Sequence, residues 1–272
     1  EVHLAYHRWL RTQREARPLQ ESERRGRATG WLLQQPCLHV IAAPGMTCIS
    51  ALQRGGDVMG EPARNDSKGC GTVMRTAPVA LLGVADDPEL AFDEASAYAA
   101  LTHGHITGRL SAGHMTYTLS LLLQGEGMET ALDLATEALR RRPGHEETLA
   151  AVSLARELAG GSTPPDRAVR RIGEGWIAEE ALAIAVYATL VADDWVDAIR
   201  IATVHDGDSD STGAVAGNLL GALHGEDAIP EDLLRGLAGR GLIEQMAEDL
   251  VAFVFLPREA IPAEAMRRHA SG

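Results

Sequence analysis

Apolar residues along this chain recur mostly at i, i+3, i+4 and i+7, the spacing that lines one stripe of an α-helix. Few stretches alternate with the period of two that a half-buried strand requires. The pattern predicts helices near 3–14, 88–102, 108–124, 128–142, 145–159, 177–191, 194–203, 211–224 and 241–255. Another short one opens at Pro230, with Glu231 and Asp232 where a helix's positive end favours acids. The breaks carry matching punctuation. Asp87-Pro88 sets proline at a first turn, Arg142-Pro143-Gly144 stops a helix, and 160–165 reads as a plain loop. No repeat period emerges. The Arg-rich opening, residues 8–27, and the 160–165 loop are both too short to demand separate domains, so an all-α bundle in one domain over 1–272 is expected.

Composition narrows the function. Of 272 residues 45% are hydrophobic but only 4% aromatic, so the core should rest on small and aliphatic side chains. A net charge of −13 is the opposite of a nucleic-acid footprint and fits a cytosolic protein or one that collects cations. Cys37, Cys48 and Cys70 cannot all pair and show no CxxC spacing, which favours a reducing compartment over a disulfide framework or zinc ribbon. The longest near-apolar run, 181–192, is too short to cross a bilayer, and no secretory signal opens the chain. Cytoplasmic location, no membrane and a monomer are the expectations.

Four segments carry candidate chemistry. In HDGDSDSTGAVAGNLLGALHG (205–225), Asp206, Asp208 and Asp210 lead into Ser211 and Thr212. Gly213, Gly217, Gly221 and Gly225 then recur every fourth position. Crowded carboxylates and hydroxyls suit Mg²⁺, Mn²⁺ or Ca²⁺ but lack the EF-hand pattern. The alternative is an Asp-rich helix cap, against which the glycine ladder, at about 1 kcal/mol per interior glycine, argues for a groove. In NDSKGCGTVMR (65–75) a permissive loop precedes a helix start that could hold phosphate beside Lys68. Taken alone it reads better as a loop-to-helix junction, with Cys70 a small packed thiol rather than a nucleophile. In LTHGHITGRLSAGH (101–114) the small residues imply close backbone approach, and a ligand contact is expected at His103 ahead of His114. In WIAEEALAIAVY (176–187), Glu179 and Glu180 read as a first-turn pair, while Trp176 fits either core or stacking on a ligand ring. Asp86-Asp87 and Asp193-Asp194 read as surface helix starts.

Together, NDSKGCGTVMRTAPVAL (65–81), LTHGHITGRLSAG (101–113), WIAEEALAIAVYA (176–188) and HDGDSDSTGAVAGNLLGAL (205–223) resemble the ADP-ribosylglycohydrolase family, of the dinitrogenase reductase-activating glycohydrolase type. The last stretch is the specific one, a D-x-D-[ST] metal motif before a Gly-rich helix. The resemblance implies a compact orthogonal multi-helix fold with a binuclear Mg²⁺ or Mn²⁺ centre. It implies hydrolysis of the bond from ADP-ribose to a protein side chain, arginine or serine, or to a small acceptor. By that analogy Asp208, Asp210 and Ser211 are metal ligands, with Thr212 as the neighbouring hydroxyl, and Asp208 and Asp210 are the catalytic carboxylates. Ser67, Lys68, Gly69, Cys70 and Gly71 would hold the pyrophosphate or distal ribose, and His103 would line the ADP-ribose cleft. The partner is an ADP-ribosylated protein or an ADP-ribose derivative. The family's second metal motif, Thr-Asp-Asp-Thr, is not in this chain, and AYHRWLRTQ (5–13) resembles the helix that follows it. A preceding segment is therefore expected. The competing reading is a catalytically impaired ADP-ribose-binding or structural relative.

Overall fold

The computed structural model describes residues 2–13, 30–41, 43–54 and 61–269. The ESERRGRA segment (20–27) and most of the Arg-rich opening lie outside them. The described residues form α-helices joined by short 3₁₀ turns, with no strand beyond one isolated bridge between Gly69 and Ile177. In order the helices are α1 (Val2–Thr12), α2 (Met46–Arg54), α3 (Ala80–Ala85), α4 (Pro88–Ala100), α5 (Ile106–Leu123), α6 (Met128–Arg140) and α7 (Glu146–Ala159). They continue with α8 (Pro165–Ile172), α9 (Ala178–Val191), α10 (Trp195–Thr203), α11 (Ser209–His224), α12 (Glu231–Gly236), α13 (Arg240–Phe255) and α14 (Ala263–His269). The all-α class follows from the sequence as expected.

Two central helices are buried all round. In α9 every residue from Ala181 to Ala188 is buried, as an apolar run without a polar face requires. Around it pack α5, α7, α8, α10 and α11. The other centre, α5, is flanked by α3, α4 and α6, and it buries hydroxyls as well as methyls. Thr116 donates to Ala112 O (2.8 Å), Thr118 to His114 O (2.9 Å) and Ser120 to Thr116 O (3.0 Å), so each hydroxyl is satisfied on its own helix. A Cβ at Gly113 would press on the Phe92 ring and Ser96, which is the close α4–α5 approach that the small residues imply.

Some readings need correction. Helices α2, α8 and α14 were not expected. Pro165, read as the end of a loop, occupies the first turn of α8, where its fixed φ suits a helix and its missing N–H costs nothing. The glycine ladder is not a ligand groove. A Cβ at Gly213 would fall 2.7 Å from Thr203 Cγ2 on α10, one at Gly217 would make ordinary contact with Ile199 at 3.9 Å, and at Gly221 nothing lies within 4 Å. Gly225, at φ 75°, ends the helix. The ladder therefore serves packing at one rung and termination at another.

Candidate functional site

The loop at 67–71 lies between the N-terminus of α9 and the start of α11. Lys68 O accepts from Ala178 N (2.8 Å) and Cys70 N donates to Trp176 O (3.0 Å), which is the strand-like bridge seen in the fold. Behind it, Asn65 works as a bracket. Its Oδ1 accepts from Ser67 N (3.0 Å) and Gly104 N (3.1 Å), and its Nδ2 donates to Thr102 O (2.9 Å). His103 sits beneath the loop, 2% exposed, with its Nδ1 2.8 Å from Thr102 Oγ1. Side chains added at Gly69 or Gly71 would meet its ring at 3.3–3.4 Å. The ring is thus a floor for the loop, not part of an open cleft wall as expected. Burial, with the Arg75 charge next, pulls its pKa down to about 3, so it is neutral at physiological pH.

Lys68 is the junction of three helix starts. Its Nζ bonds Glu147 Oε2 (2.6 Å), in the first turn of α7, and Glu179 Oε1, in the first turn of α9. Thr107, in the first turn of α5, also donates to Glu147 Oε2 (2.9 Å). Burial opposes the ammonium charge, but the hydrogen bonds donated to Glu147 and Glu179 outweigh it and raise the Lys68 pKa. A charge expected to await phosphate is already engaged by carboxylates. Glu179 and Glu180 stand in the first turn of α9 as expected, and each also makes contacts beyond it or is buried there. Glu179 is 5% exposed, and its Oε2 has no partner among the described residues. Glu180 Oε2 accepts from Glu174 N (3.0 Å) and Gly175 N (3.1 Å), tying down the turn before α9.

That turn brings in α11. Asp208 N donates to Glu174 O (2.8 Å), and the carboxyl of Asp208, with no capping bond to its own helix, faces the loop. Cys70 Sγ donates to Asp208 Oδ2 at 2.7 Å, joining residues 138 apart in sequence. Burial first, then the Asp208 hydrogen bond, pushes the Cys70 thiol up to about 12, which excludes it as a nucleophile. Burial first, then the neighbouring Asp210 carboxyl, raises the pKa of Asp208, while Asp208 lowers that of Asp210.

A model of the ADP-ribosylglycohydrolase family matches residues 1–259. The chain belongs to that family. ADP-ribosylhydrolase ARH1 of Dictyostelium discoideum is similar at 36% identity over 59 residues, 22% of this chain and only 15% of that protein.

The remaining expected ligands divide. Ser211, 3% exposed, donates to Met74 Sδ (3.2 Å) and keeps its oxygen lone pairs beside Asp208. Thr212 does not join them. It is fully buried, and its Oγ1 lies 2.6 Å from Ala202 O and 3.0 Å from Asp208 O, so its one hydrogen is committed to α10 and its own helix. His205 shapes the turn between. Gly207 N donates to its Nδ1 (3.0 Å), which leaves Nε2 as the protonated nitrogen near Ala202 O (3.0 Å) and Thr212 Oγ1 (3.1 Å). Asp206 and Asp210 are exposed. Among the described residues no group of three or more His, Cys, Asp or Glu is arranged to hold a metal ion. Asn65, Glu147, Thr107 and the carbonyls of Glu174 and Trp176 are the participants that sequence reasoning missed.

Proposed function

We propose that this chain hydrolyses the glycosidic bond between ADP-ribose and a protein side chain, arginine or serine, or a small acceptor, with Mg²⁺ or Mn²⁺ held by Asp208, Asp210 and Ser211. One observation carries the reading: a buried Asp208 carboxyl that caps no helix and is turned to the glycine loop, with a second carboxylate, Asp210, two residues on. Two carboxylates and a hydroxyl are hard oxygen donors and fit either cation, though not a full shell of about six. The remaining positions would fall to water, substrate or residues outside those described. A cation there would lower the pKa of a bound water and orient it toward the ribose carbon that develops oxocarbenium character.

The chain's own groups do the rest. Asp208 is the more readily protonated of the two carboxylates and Asp210 the less, so the pair offers one firmly anionic oxygen donor beside one that an opposing positive charge would favour as anion. Cys70 orients the Asp208 carboxyl by donating to Oδ2. His103, Asn65 and Lys68 fix the loop against which a phosphate-bearing substrate would lie.

A second reading has its own support. The lack of a three-residue metal cluster among the described residues fits a relative that binds ADP-ribose without cleaving it. Single-turnover release of ADP-ribose from ADP-ribosyl-arginine protein, with and without Mg²⁺ or Mn²⁺, separates the two. Metal-dependent release that disappears in Asp208→Ala supports the hydrolase. Retained ADP-ribose binding without release supports the binding module.

A further inference from the structure

Several arginines in this acidic chain face carboxylates. Arg142 pairs with Glu89 and Asp93, Arg156 with Glu129 and Asp133, Arg200 with Asp197, Arg240 with Glu244 and Arg268 with Asp249. Helix α8 gathers three that do not. Arg167, Arg170 and Arg171 are all exposed and make no hydrogen bond or ion pair with any described residue. Spaced i, i+3 and i+4, they share one face, opposite the buried face of Ala168, Val169 and Ile172. The nearby acids Asp166 and Glu174 pair with none of them. Helix-end electrostatics accounts for Arg170 and Arg171 in the last turn but not for Arg167, which stands in the first turn where a cation is disfavoured.

The place of this face gives it a use. Helix α8 ends at Ile172, and the next residues form the turn that contacts the candidate site. Glu174 O receives Asp208 N, Trp176 O receives Cys70 N, and the Glu180 carboxylate clamps the turn through Glu174 N and Gly175 N. Trp176 itself is 56% exposed at the rim. The arginine face is thus coupled to the site by a short, internally bonded connection.

We infer that α8 docks an acidic stretch of the polypeptide that carries the ADP-ribosyl group, presenting the modified side chain to the Asp208–Cys70 end of the loop. This rests on the proposed hydrolase reading. Charge complementarity selects the partner: three unneutralised guanidinium groups suit a few clustered Asp or Glu side chains. A long polyanion is repelled by the net charge of −13, whereas a short acidic stretch interacts within a Debye length of about 10 Å at 0.1 M salt.

The test compares two peptides with the same ADP-ribosyl-arginine linkage, one flanked by Asp and Glu and one by Ser and Gly. Wild type is set against Arg167→Glu/Arg170→Glu/Arg171→Glu and against the corresponding Gln triple, which guards against a folding failure in the first. At low salt the Glu triple should lose about tenfold in kcat/KM on the acidic peptide, through KM, and stay within about twofold on the neutral one. The Gln triple should lose less, and added salt should erase the wild-type preference. Equal rates on both peptides in wild type, or equal losses on both in the variants, overturn the inference. So does a loss of duplex DNA or phosphatidylserine-vesicle binding in the variants with peptide kinetics unchanged. If wild type cleaves neither peptide, the hydrolase reading fails, and fluorescence anisotropy of the unmodified acidic peptide then decides the docking. Binding that the Glu triple abolishes sustains it, and no binding overturns it.

Discussion

Gly207 separates two kinds of glycine in this fold. Its φ lies outside the left-handed region, so space alone explains it. A Cβ added there would land on the carbonyl oxygen of Glu174 and 2.6 Å from its carbon, and neither is a side-chain end that can swing away. In Gly207→Ala the 205–208 segment must therefore withdraw from the 173–175 turn by about an ångström, the order of a van der Waals overlap. That stretches the Asp208 N to Glu174 O bond (2.8 Å) beyond useful length and leaves the N–H of buried Asp208 without it. The lost bond costs about 0.5–1.5 kcal/mol, and its donor left buried about 1–3, so the expected destabilisation is about 2–4 kcal/mol. Gly221→Ala is the internal control. Nothing lies within 4 Å of its added Cβ, and alanine in a helix interior is worth about 0.5–1 kcal/mol over glycine, so this variant should gain stability. Urea unfolding with unchanged m-values reads both. The reasoning fails if Gly207→Ala stays within about 0.5 kcal/mol of wild type, or if Gly221→Ala loses as much as Gly207→Ala does.

Other expectations follow from the same contacts. Lys68→Met strands the buried Glu179 carboxylate and should destabilise by about 3–5 kcal/mol in urea unfolding, with Lys68→Met/Glu179→Gln recovering much of it; no recovery would separate the residues' roles. His103 and His114 are buried, with folded pKa values pulled from 6.5 to about 3 and about 4 chiefly by burial. Both are neutral in either state above pH 6.5; below it the unfolded chain takes up protons that the fold refuses. Stability should therefore fall between pH 6.5 and about 3–4, by up to about 3–5 kcal/mol for each ring at 1.36 kcal/mol per pKa unit. Urea midpoints across that range, and a flatter profile in His114→Leu, check this. With its thiol near 12, Cys70 should react with iodoacetamide at pH 8 more than about a hundredfold slower than exposed Cys37, as read by mass spectrometry. Asp249, buried and held to about 2 by Arg268 against the effect of burial, should lose its grip on α14 in Asp249→Asn, seen as faster amide exchange over 263–269.

Local signals made the helices legible, and their limits explain what was missed. α9 declares itself because eight consecutive buried residues leave no polar face to confuse the pattern. α8 is hidden because Pro165 looks like a stop when it is a start, and a short helix with arginines on one face has little apolar sequence to show. The site divides along the same line. NDSKGCG and HDGDSDS stand out as motifs, yet what joins them is a contact across 138 residues between a thiol and a carboxyl, neither of which announces its partner. Lys68 reads as an available charge until the fold brings Glu147 and Glu179 to it from 79 and 111 residues away. Thr212 reads as a ligand because it follows Ser211, but the 100° step of a helix turns it from the loop toward Ala202. Sequence spacing names the groups that can do chemistry; which of them face one another is decided by helix phase and by close backbone approaches such as Gly207 on Glu174, a place where only the absence of a side chain lets Asp208 reach Cys70.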